Sequence, residues 1–150
     1  MELLKRIGNG SVLIDTAPFI YFVWEKEPYT GLLTPFFDAV DTGKIRAMTT
    51  TLTCSEVLVV PCRQRNHRLI ERYQTLLLET PGLSIVPFDL GLAKETAEVR
   101  AKYGLKTPDA IQWATALHYG IQFFLTNDRE FCKFQSPEVL LLEHFIHPGK

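Results

Sequence analysis

The chain has 150 residues, 46% of them hydrophobic and 22% charged, with a formal net charge of −1. That length points to one domain over 1–150, and the composition to an ordinary soluble core. The near-neutral charge excludes a protein that coats nucleic acid by bulk attraction, though it leaves room for a local basic groove. No apolar run approaches the roughly 20 residues that span a bilayer. The N-terminus MELLKRIGNGSVLID lacks the signal-peptide order of basic, apolar and small-residue segments, so a cytoplasmic protein with no membrane partner is expected. Cys54, Cys62 and Cys132 form an odd set without a C-x-x-C pair, which favours buried, inert thiols over disulfides or a zinc knuckle.

Taken in order, Ser11–Ile14 (SVLI) reads as a strand ending at Asp15. Thr16 can cap the next helix, whose residues Phe19 to Trp24 are apolar all round and so require cover. Pro28 and Gly31 break it, and Thr34 predicts the cap of a second helix from Pro35 to about Thr42, with Gly43 past its end. Ile45–Thr50 is a second strand. The segment that follows holds Glu56 early and divides into two helices near Pro61, where an interior proline removes a bond. The second of these carries an apolar stripe of Leu69, Tyr73, Leu76 and Leu77. Leu83–Val86 is a third strand, and Gly91–Tyr103 an amphipathic helix stopped by Gly104.

Thr107–Phe131 (TPDAIQWATALHYGIQFFLTNDREF) carries the densest information. Thr107 can cap a helix with Pro108 at its first position, which leaves Asp109 in the first turn beside orphan N–H groups. Ala110, Trp113, Ala114 and Leu117 recur at helical spacing as an inward face. Gly120 ends the helix, Ile121–Leu125 is a buried strand, and Thr126-Asn127-Asp128 closes it. A short helix near Arg129–Phe134 leads to a fifth strand at Val139–Leu142, and His144–Lys150 reads as a tail.

Short apolar strands alternating with helices imply a parallel sheet covered on both faces, with sites outside the carboxyl ends of the strands. Asp15, Glu56 and Asp128 follow strands one, two and four, and Asp109 heads the helix that runs back to strand four. Each acid alone is more often a cap or turn residue than a ligand; their joint placement is what carries weight. Two like charges about 5 Å apart cost roughly 3 kcal/mol at an effective dielectric near 20. Four such charges must therefore protonate or bind a cation, and an all-carboxylate set suits Mg²⁺ or Mn²⁺ rather than zinc. A cation holding waters and open to a phosphate oxygen is the outline of a phosphodiesterase.

In VLIDT (Val12–Thr16), SEVL (Ser55–Leu58), TPDAIQWATAL (Thr107–Leu117) and LTNDREF (Leu125–Phe131), in that order and spacing, the chain resembles the PIN-domain family, especially VapC-type toxin ribonucleases of VapBC toxin–antitoxin pairs. The resemblance implies a three-layer α/β/α domain with a central, mostly parallel five-stranded sheet and a core of about 12–142. It implies Mg²⁺- or Mn²⁺-dependent endoribonuclease activity, with Asp15, Glu56, Asp109 and Asp128 as an acidic quartet of catalytic and metal-binding residues. Among these, Asp15 and Asp109 stand first as metal ligands, and the Thr126 hydroxyl supports the site. An RNA substrate, a cognate antitoxin and a homodimer are the partners it implies. Ala17 departs from the small polar residue often found two positions after the first acid, which leaves a secondary hydrogen bond unassigned.

Arg63, Arg65, Arg68 and Arg72, with Lys106, can contact phosphates or simply solvate helix faces. Phe22, Trp24, Phe36 and Phe37 suit a core better than an antitoxin groove, and Trp113 suits a core better than a base-stacking platform. His67, His118, His144 and His147 share no motif. A non-catalytic PIN-like RNA-binding or scaffold module is the alternative function. A haloacid-dehalogenase-type phosphatase is disfavoured, because Asp15-Thr16-Ala17 lacks the second acid of an Asp-x-Asp motif.

Overall fold

In the computed structural model, which describes residues 2–146, five strands form one sheet in the order β3-β2-β1-β4-β5. They are β1 (Ser11–Ile14), β2 (Arg46–Thr50), β3 (Leu83–Val86), β4 (Phe123–Thr126) and β5 (Glu138–Leu141). All four neighbouring pairs are parallel, so the sheet is parallel throughout. The chain steps outward from β1 through β2 to β3, then crosses back to add β4 and β5 on the other side. The order thus reverses between β1 and β4, where the crevice at the carboxyl edge opens.

Side-chain alternation makes the three layers. Val12 and Ile14 of β1 and Leu125 of β4 join a core with α1 (Glu2–Ile7), α2 (Thr16–Val23), α3 (Thr30–Asp41), α4 (Thr51–Arg63) and α5 (His67–Glu79). Leu13 and Phe124 face the opposite way, into a second core with α6 (Leu90–Tyr103) and α7 (Thr107–His118). Trp113 is fully packed there against Phe124, Phe131 and Phe134. This is the three-layer α/β/α architecture implied by the sequence.

Several boundaries moved, each for a physical reason. α1 was not anticipated; Leu3 and Ile7 are buried and give it a packed face. Asp15, not Thr16, caps α2, its carboxylate accepting from the Thr16 N–H. α3 begins at Thr30 and carries Pro35 inside it, because Leu32 and Leu33 are buried and their packing outweighs the bond the proline removes. α4 likewise runs through the buried Pro61, and the reversal comes at Arg65, which has a left-handed φ of 51°. Asn66 then caps α5 by accepting from the Leu69 N–H.

α7 starts at Thr107 with Lys106 at its cap, so Thr107 is inside the helix and supplies no cap bond. Ala110 to Ala116 are all buried because α7 lies between the sheet and α6, whereas Leu117, expected inward, projects beyond and is 45% exposed. Thr126 belongs to β4, and Ile121 lies before it. The segment expected as a tail forms α8 (Leu142–Ile146), which includes His144, while His147 lies outside the described residues. Cys62 and Cys132 are exposed and Cys54 half-buried, which corrects the expectation of buried thiols. Gly104 ends α6 at a left-handed φ of 68°, as a side-chain-free stop allows. No described helix is long and apolar enough to cross a membrane.

Candidate active site

Asp15 and Thr126 are positioned by adjacent strands. The ladder between β1 and β4 continues one step further, with the Asp15 N–H donating to the Leu125 carbonyl at 2.9 Å. Both side chains therefore leave the sheet edge together, and the Thr126 hydroxyl donates to Asp15 Oδ2 at 2.8 Å. The same hydroxyl oxygen accepts from the Asp128 N–H at 3.0 Å, so Thr126 ties the first acid to the turn that carries the last. Asp15 Oδ1 accepts from the Thr16 N–H at 2.8 Å and from Gln112 Nε2 at 3.4 Å.

Glu56 stands in α4, close after β2, and accepts from the Thr16 hydroxyl at 2.8 Å. A hydroxyl toward the acids is thus supplied one residue after Asp15, by Thr16, while Ala17 lines the cleft without one. Asp109 sits in the first turn of α7, whose start faces the carboxyl edge because α7 runs antiparallel to β4. Asp128 caps the 3-10 turn Arg129–Lys133 by accepting from the Glu130 N–H at 2.9 Å.

All four acids line one open cleft of about 620 Å³, together with Thr126 and Gln112. The structure adds a fifth carboxylate that sequence reading passed over. One oxygen each from Asp109, Asp128 and Glu130 falls within a mutual 4.8 Å. The signal was an acid two residues beyond Asp128, which a turn can bring to the same side. Arg129, on the cleft wall, is spent on an ion pair with Glu143.

Gln112 was also missed. It is 1% exposed, three residues beyond Asp109 on the same helix, and every polar atom of its amide is engaged. Its Oε1 accepts from the Thr50 hydroxyl at 3.0 Å, and its Nε2 donates to the Thr53 hydroxyl at 2.7 Å as well as toward Asp15. A polar residue interrupting a buried helix face was the available clue. Through it, β2, α4 and α7 are pinned to one another beneath the acids, and Thr53 in turn reaches the Thr16 hydroxyl at 3.4 Å.

Electrostatics follow burial. Desolvation pushes the Asp15 carboxyl up to about 6, with the charges of Asp109 and Glu56 adding to it; the bonds from Thr126 and Thr16 act against the rise without cancelling it. Asp109 is also raised, first by burial, then by Asp128 and Glu130, with Lys106 opposing. The donor set is carboxylate and hydroxyl oxygen, with no His or Cys among the lining residues. Crowded carboxylates, with Asp15 and Asp109 held above their ordinary range, are a set that a hard divalent cation would relieve, so the residues fit Mg²⁺ or Mn²⁺.

The remaining candidates disperse. Arg63, Arg65, Arg68 and Arg72 are exposed on the α4–α5 hairpin and line none of the acid cleft. Phe36 and Phe37 are core residues, and Trp24 is half-exposed. His118 pairs with Glu95 at the surface.

A parallel α/β/α domain with an all-oxygen acidic crevice at its switch point is the architecture these observations define. The chain belongs to the PIN-domain family, whose model matches residues 12–136. Solved structures with the same fold include a toxin–antitoxin complex from Klebsiella pneumoniae, at 20% identity and a TM-score of 0.63, covering 87% of this chain and 97% of that one. A FitAB complex bound to an IR36 DNA fragment aligns at 18% identity and a TM-score of 0.66, covering 91% and 99%. VapC20 of Mycobacterium tuberculosis, described as a sarcin–ricin loop cleaving toxin, aligns at 15% identity and a TM-score of 0.66, covering 81% and 93%. No curated protein matches the chain significantly by sequence.

Proposed function

We propose that this protein is a divalent-metal-dependent endoribonuclease, the toxin of a type II toxin–antitoxin pair. The observation that carries the reading is the convergence of Asp15, Glu56, Asp109 and Asp128 on one cleft. Membership of the PIN family and likeness to structures described as toxins or toxin–antitoxin complexes support it. Asp15, Asp109, Glu56 and Asp128 would hold the cation, with Glu130 within reach on the Asp109 and Asp128 side. When bound, Mg²⁺ or Mn²⁺ supplies positive charge at the phosphate under attack and makes water a stronger nucleophile at neutral pH.

The chain's own residues do the rest. Thr126 fixes Asp15 against the turn of Asp128, Thr16 fixes Glu56, and Gln112 keeps α7, hence Asp109, in register with both. With these bonds made in advance, little reorganisation is left for the moment of reaction. A cognate antitoxin, a homodimeric state and a cytoplasmic location complete the reading.

Calorimetry of Mg²⁺ and Mn²⁺ binding, paired with RNA cleavage by antitoxin-free protein, tests it. Asp109→Asn is expected to weaken metal binding tenfold or more, about 1.4 kcal/mol, and to suppress cleavage. Wild-type protein that binds no metal and cleaves no RNA, indistinguishable from Asp109→Asn, would sink the reading.

A further inference from the structure

A cleft lined with carboxylates poses a difficulty for a polyanionic strand. A cation at the centre answers for one phosphate, but the next phosphates along the same strand meet the rim of the cleft. That rim must offer donors and positive charge if the strand is to lie across the acids. Arg129 does not serve, since Glu143 occupies it. The arginines of the α4–α5 hairpin begin seven residues beyond Glu56, roughly 10 Å further along the helix axis.

One wall is built differently. Tyr21 of α2 and Asn127, directly before Asp128, both line the cleft. The rings of Tyr21 and Tyr29 stack with centroids 4.7 Å apart and planes 25° from parallel. Asn127 Nδ2 donates to both phenol oxygens, at 3.4 Å to Tyr21 and 3.2 Å to Tyr29. Asn127 Oδ1 accepts from the Glu143 N–H at 3.1 Å, which fixes the amide the right way round. Each phenol oxygen is therefore an acceptor toward Asn127, and each O–H is left to donate elsewhere. Among the described residues, nothing takes either proton. Lys26 Nζ lies 4.5 Å from the centre of the Tyr21 ring and 6.0 Å from that of Tyr29. No carboxylate among the described residues forms an ion pair with it.

This flank of the cleft thus gathers unspent hydroxyl donors at Asn127, the residue before Asp128, with the exposed Lys26 ammonium over the Tyr21 ring just outside the cleft lining. Their joint chemistry suits a phosphate oxygen. We propose that Tyr21 and Lys26, held by Tyr29 and Asn127, form a subsite for the backbone phosphate next to the one that is cut, in an RNA strand crossing the acid cleft. The subsite rests on the ribonuclease reading and adds to it a direction for the strand, from the acids toward α2. Tyr21 and Lys26 contact the substrate; Asn127 and Tyr29 position them.

The test is anisotropy of a short fluorescein-labelled single-stranded RNA with Mg²⁺ over a series of KCl concentrations, in an Asp109→Asn background that leaves the strand uncut. Lys26→Gln, at an exposed position, is expected to flatten the plot of log affinity against log salt by about 0.7, the share of one phosphate contact on a single strand. Tyr21→Phe keeps the ring and the stack and is expected to weaken binding about tenfold through the lost donor to a charged acceptor, with the salt slope unchanged. A cluster that merely pinned α2 to β4 would shift the melting temperature and neither of these readouts. In the wild-type background, a rise in KM for the same RNA from either change is the second readout. If the parent binds RNA and both variants match it in affinity and slope, the subsite is wrong and the nuclease reading stands. If the wild type neither binds nor cleaves RNA, both fall together.

Discussion

The two halves of the acid cleft are held in different ways. Asp15 and Glu56 are tied by side-chain hydroxyls: Thr126 and Thr16 donate to them, and the buried Gln112 braces the first. Asp109, Asp128 and Glu130 crowd within 4.8 Å of one another, and among the described residues their carboxylates accept only the backbone N–H of Glu130, at Asp128. One half is set in place by the protein itself. The other crowds like charges that a cation would relieve, so folding sets one half and the proposed metal would settle the other.

Breaking the second half has the largest expected effect. On the proposed reading Asp109→Asn should lower kcat for RNA cleavage about a thousandfold, since it removes a carboxylate that would hold the cation; cleavage of a labelled RNA measures it. Within a factor of ten of wild type, the division drawn above would fail.

The first half should show itself through pH. The folded Asp15 carboxyl lies near 6, above its ordinary value of 3.8. A raised acid holds more protons folded than unfolded between those values. Its stabilising contribution is therefore complete below the ordinary value and is lost as pH rises toward 6. In metal-free protein, Asp15→Asn should stabilise at pH 8 by on the order of 2–3 kcal/mol and give no such gain at acid pH. Thermal melts of both proteins at the two pH values check the sign, and equal gains at both would contradict it.

Next in size is the tie between the halves. Thr126→Val keeps the shape, removes the donor to Asp15 and the acceptor for Asp128, and should cost 10- to 100-fold in metal affinity, roughly as outer-shell changes do. Gln112→Leu should destabilise by about 1–3 kcal/mol, because it removes the buried acceptor of the Thr50 O–H and the donor to the Thr53 hydroxyl; a shift in denaturation midpoint at constant slope would register it. Glu130→Gln should be the mildest, a few-fold in metal Kd, since Glu130 is exposed and the other acids remain. A larger loss there than at Thr126 would mean that the carboxylate cluster, not the hydroxyl-tied half, does most of the holding.

The legible parts of this protein share a cause. β1 and β3 lay where their apolar runs end, and the acids sat where parallel-sheet geometry sends residues after strands. Interior prolines misled, since Pro35 rides inside a helix beside the buried Leu33 and Phe36, and Pro61 is itself buried on the packed face of its helix. α1 and α8 escaped because short terminal helices draw their stability from docking rather than from local pattern.

By itself the sequence determined the alternation of strands and helices, the family, and the identity of the four acids, because these depend on local periodicity and on spacing along the chain. Tertiary structure alone decided that Thr16 serves Glu56, that Gln112 braces Asp15, that Glu130 joins Asp109 and Asp128, and that Asn127 gathers two tyrosines. Those partners stand up to 106 residues apart, as Asn127 and Tyr21 do. Hydrogen bonds of a few ångströms between residues so distant in the chain are set by how strands are ordered and helices packed, and no local pattern encodes that.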